Sequence, residues 1–223
     1  MAPRNDSIDD LNKKILDLFP DEQHIFLSAD SAIDDSGQTI DDLPVEYLNR
    51  ITLANFPLHQ TILKVGIPVL LLRNLDPASG LCNGTRLLIT RLGQRVIEGK
   101  ILTGSCAGNI VFIPRIALTT NRTSGLPFTL RRVQFPIRLA FGMTINKSQG
   151  QSLDHVGLYL INPVFTHGQL YVSLSRATNP QNIHILLDNT PAGQKCQTPN
   201  ITYPELLAHN FKFIHDDNMV LIK

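Results

Sequence analysis

Two short runs hold most of the chemistry in this 223-residue chain. The first is Thr144-Ile145-Asn146-Lys147-Ser148-Gln149-Gly150-Gln151, and the second is Tyr171-Val172-Ser173-Leu174-Ser175-Arg176-Ala177. A hydroxyl, an amide and an ammonium, as on Thr144, Asn146, Lys147 and Ser148, are the donor types that phosphate oxygens accept from. Gly150 permits close backbone approach, and Gln149 can both donate and accept beside a phosphate or water. Arg176 follows residues that read as a helix anchored by Leu170, Val172 and Leu174. A guanidinium fixed in this way can stabilise charge on a γ-phosphate, an effect commonly worth on the order of 10³–10⁵ in rate. On helical position alone Arg176 is equally well explained as a residue closing a helix C-terminus. No Gly-x-x-x-x-Gly-Lys-Ser/Thr run occurs in the sequence, so the arginine would serve a phosphate held by another domain.

The elements that must position these runs follow from periodicity. Asn5 or Asp6 can cap a helix over residues 7–18, with Ile8, Leu11, Ile15 and Leu18 at helical spacing and Pro20 beyond its end. Residues 28–46 hold five aspartates and one glutamate among Ser, Gly and Pro and read as a mobile acidic loop. Asp21-Glu22 lacks the apolar strand that would turn a carboxylate pair into a Mg²⁺ site. Val69–Leu72 reads as a strand covered on both faces. Asn83-Gly84 signals a tight turn into strands at 85–92, 95–102, 110–116 and 128–133, a spacing that predicts a small β-barrel. After 135–141, strands at 155–160 and 183–187 flank a helix at 168–177, the rhythm of a parallel α/β sheet. The expected organisation is a discontinuous α/β domain, 1–80 and 134–190, with a β insert at 81–133. A C-terminal extension, 191–223, could open a short helix at Pro204-Glu205-Leu206-Leu207. Tyr171 is expected in the core, with a base-stacking platform as the alternative.

Composition narrows the class. The hydrophobic share of 43% and charged share of 17% are those of a globular protein. Three cysteines, Cys82, Cys106 and Cys196, lack pair spacing and read as free thiols without a disulfide partner. The histidines, His155, His167 and His184 among them, lack metal-ligand spacing. Neither an apolar signal core nor an apolar run near eighteen residues is present, which argues against secretion and membrane spanning. The net charge of +1 conceals an asymmetry. Residues 1–60 carry twelve acidic side chains against four basic ones, and residues 77–153 carry ten basic side chains against one acid, Glu98. Such a basic stretch is the footprint expected for phosphate backbones, and pairing with the acidic N-terminal third is the alternative. On charge, Arg86, Arg91, Arg131 and Arg132 are the expected backbone contacts in the β insert.

The two runs, together with Leu63–Asp76 and Gly80-Leu81-Cys82-Asn83-Gly84-Thr85-Arg86, resemble the Pif (petite integration frequency) family of 5′-to-3′ DNA helicases, most closely its plant-type and Helitron-transposon members. The resemblance covers about residues 1–188, with Ala2-Pro3-Arg4-Asn5 similar to the start of the second motor domain. It implies a RecA-like parallel sheet flanked by helices and interrupted by a small Src-homology-type β-barrel. It implies Arg176 as the arginine finger, Gln149, Gly150 and Arg4 as nucleotide-coupling residues, and Thr144, Asn146, Lys147 and Ser148 as contacts to single-stranded DNA. Many relatives carry His where this chain has Asn146, and Ala where it has Ser173. The cofactors implied are ATP and Mg²⁺, bound mainly by a first RecA-like domain that is the implied partner and has no counterpart in this sequence. The expected location is nuclear, with the mitochondrion as the alternative. Two other readings stay open: a stand-alone single-stranded DNA-binding or regulatory module, and a transposon-derived relic.

Overall fold

A computed structural model describes residues 1–34, 36–53, 55–120, 124–187 and 197–203. In chain order the elements are α1 (Asn5–Leu18), β1 (His24–Leu27), β2 (Ala29–Ile33), α2 (Val45–Arg50), β3 (Gln60–Leu63), β4 (Pro68–Leu71) and β5 (Arg86–Leu92). They continue with β6 (Val96–Ile101), β7 (Ile110–Pro114), β8 (Ile116–Thr119), β9 (Thr129–Gln134), β10 (Ile137–Leu139), β11 (Val156–Leu160), α3 (Gln169–Leu174) and β12 (Ile183–Leu187). They fall into two units: Met1–Ile8 with the chain from Met143 onward, and Asp9–Gly142. Periodicity placed the boundaries near 80 and 134. The early one falls inside a sheet, because β4 pairs antiparallel with both β5 and β10. A strand's partners are set by packing far along the chain, which local periodicity cannot report.

The Asp9–Gly142 unit is rich in antiparallel strands. One sheet runs β10-β4-β5-β6-β7, a second runs β2-β9-β8, and β1 pairs with β3. Residues alternate inward and outward along β6 and β7, so Ile97, Ile101 and Ile113 join Leu63, Ile67, Leu71, Leu87 and Phe135 in one apolar core. Gly84 has φ +92°, in keeping with the turn expected at Asn83-Gly84. The run Val69–Leu72, expected to be covered on both faces, alternates over β4 instead: Val69 and Leu71 are buried while Pro68 and Leu70 are half-buried. Within this unit α1 docks on β10. Leu16 enters the core, Asn12 Nδ2 donates to the Leu139 carbonyl at 3.3 Å, and Arg138 reaches Asp9 at 2.7 Å.

The acidic segment 28–46, expected to be a mobile loop, is partly built into this unit. Residues 29–33 form β2, which pairs with β9 from Ala29↔Val133 to Ile33↔Thr129. What sequence reasoning missed is the partner of Asp30, which lies 102 residues away. Arg132 donates from Nε to Asp30 Oδ1 at 2.9 Å and from the second terminal nitrogen to Oδ2 at 2.7 Å, with both side chains fully buried.

The other unit holds β11 and β12 in parallel, in register from Val156↔Ile183 to Leu160↔Leu187, with α3 on the connection between them. This strand–helix–strand order is the one expected from the 155–187 periodicity. Its core comprises Ile145, Val156, Leu158, Leu160 and Val164, and Leu170, Val172 and Leu174 of α3 pack against it. The N-terminal residues are tied to the same body: Ala2 bridges Thr144 in parallel, and the Tyr159 amide donates to the Met1 carbonyl at 2.7 Å. The molecule is therefore α/β with mixed sheets. Among the described residues no helix is long and apolar enough to cross a membrane. The helix expected at Pro204–Leu207 and the thiol of Cys196 lie outside the described residues.

Candidate nucleic-acid and nucleotide interface

The run 144–151 is a strand end followed by a tight turn. Thr144 is extended, and Ile145–Ser148 form one turn of 3₁₀ helix whose anchor is Ile145, wholly buried in the core. Ser148 was expected to contact a strand, but it is fully buried and its hydroxyl donates to the Ile145 carbonyl at 2.7 Å. It closes the turn and offers nothing outward, because a short hydroxyl in a tight turn finds a backbone acceptor locally. Asn146, Lys147 and Gln149 are exposed, and Gly150 follows at φ +81°.

Thr144 and Asn146 line a cleft of about 360 Å³ together with Pro3, Arg4, Asn5 and Phe165. The Arg4 guanidinium lies over the Phe165 ring, 5.4 Å from its centroid, which holds the cation at the cleft wall. Arg4 therefore sits with the expected strand contacts. Beneath the cleft is Gln169, the first residue of α3 and 2% exposed. Its Nε2 donates to the Pro3 carbonyl and to Asn146 Oδ1, both at 3.3 Å, and its Oε1 accepts from the Phe165 amide at 3.1 Å. Sequence reasoning did not single out Gln169. The available signal was the pair Gln169 and Ser173, two polar residues one turn apart that both face the buried side of a short helix.

Arg176 stands two residues beyond α3, half-buried. It donates from Nε to the Val172 carbonyl at 3.0 Å, to the Gln151 carbonyl at 3.1 Å and to Ser175 Oγ at 3.0 Å. The arginine is thus tied to the same segment that carries Gln149 and Gly150. Backbone bonds reinforce the link: the Leu153 amide donates to the Arg176 carbonyl at 2.9 Å, and the Thr178 amide to the Leu153 carbonyl at 3.1 Å. Three of the five guanidinium N–H groups are used, and the other two are without a partner among the described residues. Tyr171, expected in the core, is 74% exposed.

The four arginines expected to line the β insert separate. Arg132 is withdrawn by its ion pair with Asp30. Arg131, its neighbour on β9, is exposed, as strand alternation requires. Arg91 is exposed and pairs with Glu98 at 3.3 Å. Arg86 is half-buried, and burial lowers its pKa below the ordinary guanidinium value. Part of the positive charge is therefore met by the acidic N-terminal third, through Asp30–Arg132 and Asp9–Arg138.

The Thr144–Asn146–Arg4 cleft presents hydrogen-bond donors and a cation, which suit phosphate oxygens. None of its lining residues is a carboxylate, and among the described residues no three His, Cys, Asp or Glu side chains converge on one point. These residues accordingly do not fit the coordination of Mg²⁺.

Known proteins are similar to this chain in sequence and fold. The family model described as "DNA helicase Pif1, 2B domain" matches residues 46–92, within the β-rich unit. The chain is 31% identical over 187 residues to the ATP-dependent DNA helicase PIF1 of Xenopus laevis, across 83% of this chain and 27% of that protein. It is 32% identical over 200 residues to the human protein of that name, across 88% of this chain and 28% of the relative. A solved Bacteroides Pif1 helicase, in complex with ADP-AlF3 and ssDNA, superposes with a TM-score of 0.63 at 22% identity. That match covers 93% of this chain and 43% of the Bacteroides chain. The sequence thus spans little more than a quarter of the Xenopus and human relatives, and its α/β architecture with mixed sheets fits a RecA-like helicase fold. The chain belongs to the Pif1 helicase family.

Proposed function

We propose that this chain is the C-terminal motor half of an ATP-dependent 5′-to-3′ DNA helicase. Met1–Ile8 and the chain from Met143 act as part of the second RecA-like domain, and Asp9–Gly142 includes the small β-barrel insert. The family model over residues 46–92 and the antiparallel strands β5, β6 and β7 support the second assignment. Thr144, Asn146 and Lys147, with Arg4 at the cleft wall, grip the backbone of single-stranded DNA. Gln149 and Gly150 sense the nucleotide, and Arg176 stabilises charge on a γ-phosphate held by a first RecA-like domain, which also supplies the Mg²⁺ site. Arg131 and Arg91 add backbone contacts from the β-rich unit.

The observation that carries this reading is the bond from Arg176 to the Gln151 carbonyl. It joins the arginine to the segment bearing Gln149 and Gly150, so a shift on one side of the turn reaches the other. ATP supplies a γ-phosphate whose developing negative charge the two remaining N–H groups can meet. The test is reconstitution. The chain alone is expected to turn over no ATP. Mixed with a separately expressed first RecA-like domain of a Pif1 helicase and dT20, it is expected to raise turnover, and Arg176→Ala to remove roughly 10³-fold or more of that rise. Turnover by the pure chain, or reconstituted turnover indifferent to Arg176→Ala, would sink the assignment. The second reading, a stand-alone strand-binding module, is favoured by a cleft complete within one unit, and it predicts dT20 binding with no gain from the added domain.

A further inference from the structure

We propose that Gln169 is the positioning residue that fixes the polarity of Asn146, so that this amide turns its Nδ2 donor toward a phosphodiester oxygen of the bound strand. The proposal rests on the reading of Asn146 as a strand contact and adds the device that makes it one.

The argument runs through three groups whose roles chemistry dictates. The Phe165 amide can only donate, so the Gln169 atom 3.1 Å away is the oxygen. The Pro3 carbonyl can only accept, so the atom facing it at 3.3 Å is Nε2. Backbone groups on both sides therefore settle which end of the buried Gln169 amide is which. Its second Nε2 proton then points at Asn146, and the Asn146 atom that meets it at 3.3 Å is Oδ1. With the oxygen held inward, Nδ2 is the end left for the cleft that Thr144 and Arg4 also line. An exposed asparagine amide otherwise turns through a roughly two-fold torsion, and in half of its orientations presents an oxygen that repels phosphate. Gln169 removes that half.

Binding of fluorescent dT20 to the 223-residue chain by anisotropy, through a double-mutant cycle of Gln169→Met and Asn146→Ala, tests this. Gln169→Met is expected to weaken binding roughly 5- to 20-fold. In the Asn146→Ala background it is expected to leave the affinity for dT20 unchanged. An equal loss of affinity with and without the Asn146 side chain would mean that Gln169 is merely structural, and the proposal fails. A second readout needs no DNA. By NMR both Gln169 Nε2 protons are expected to exchange slowly, and Asn146→Ala should release one of them roughly tenfold or more while the proton on Pro3 stays protected. Two protons that exchange alike in both proteins overturn the proposal. If dT20 ignores Asn146 altogether, the strand-contact reading fails and takes the phosphate role with it, whereas the exchange data still decide whether Gln169 fixes the amide.

Discussion

Arg132 shows how much one side chain can organise. Each of its five N–H groups has an acceptor: two go to Asp30, and the rest to the carbonyls of Leu48 at 3.0 Å, Ile51 at 3.2 Å and Pro57 at 2.9 Å. One cation thereby fastens β9, β2, the end of α2 and the segment after it. A buried pair is costly to desolvate, so its worth shows when one partner is removed and the other is stranded. Arg132→Met is therefore expected to cost about 3–5 kcal/mol in urea unfolding at neutral pH. Adding Asp30→Asn should recover only part of that loss, since three carbonyls still lack donors. Full recovery in the double variant would show that Asp30 alone mattered.

Among the elements, the 3₁₀ turn and α3 form a pair in which neither is long enough to stand alone. Ile145–Ser148 is four residues and α3 six, well short of the length at which an isolated helix is stable in water. Their stability comes from Ile145, Leu170 and Val172 in the shared core and from the bonds through Gln151, Leu153 and Arg176. Gly150 makes the turn possible. A Cβ there would meet nothing within 4 Å, so its conformation at φ +81° is the only obstacle to a larger residue. Gly150→Ala is expected to lower stability by about 1–2 kcal/mol, read as a lower thermal midpoint. An unchanged midpoint would mean that the segment has another way to close.

At the scale of the whole molecule, the question is where its positive charge is available. Two arginines are committed internally, Arg132 to Asp30 and Arg138 to Asp9, whereas Arg91 stays exposed beside Glu98. Arg4, Lys147 and Arg131 remain exposed. The affinity for dT20 is expected to fall with salt as counterions are recaptured, and Arg131→Ala to flatten the log–log slope by about one unit. Arg132→Gln, in whatever fraction stays folded, should leave the slope unchanged because its charge never meets solvent. Equal slopes for wild type and Arg131→Ala would remove Arg131 from the interface.

Much of this was legible along the chain. The strands from β5 to β7, the parallel pair β11 and β12, and α3 between them follow from side-chain alternation and turn residues, which act over a few positions. The donors of residues 144–149 and the arginine at 176 were visible as residue types at a fixed spacing. Tertiary structure decided which donors are free. Ser148 and Arg132 have the right chemistry, yet each spends it inside the fold, and Tyr171 lies at the surface. Asp30 and Gln169 matter through partners 102 and 23 residues away or more. A sequence lists the groups able to donate or carry charge, but a hydrogen bond depends on distance and direction, and these exist only once the chain has closed on itself.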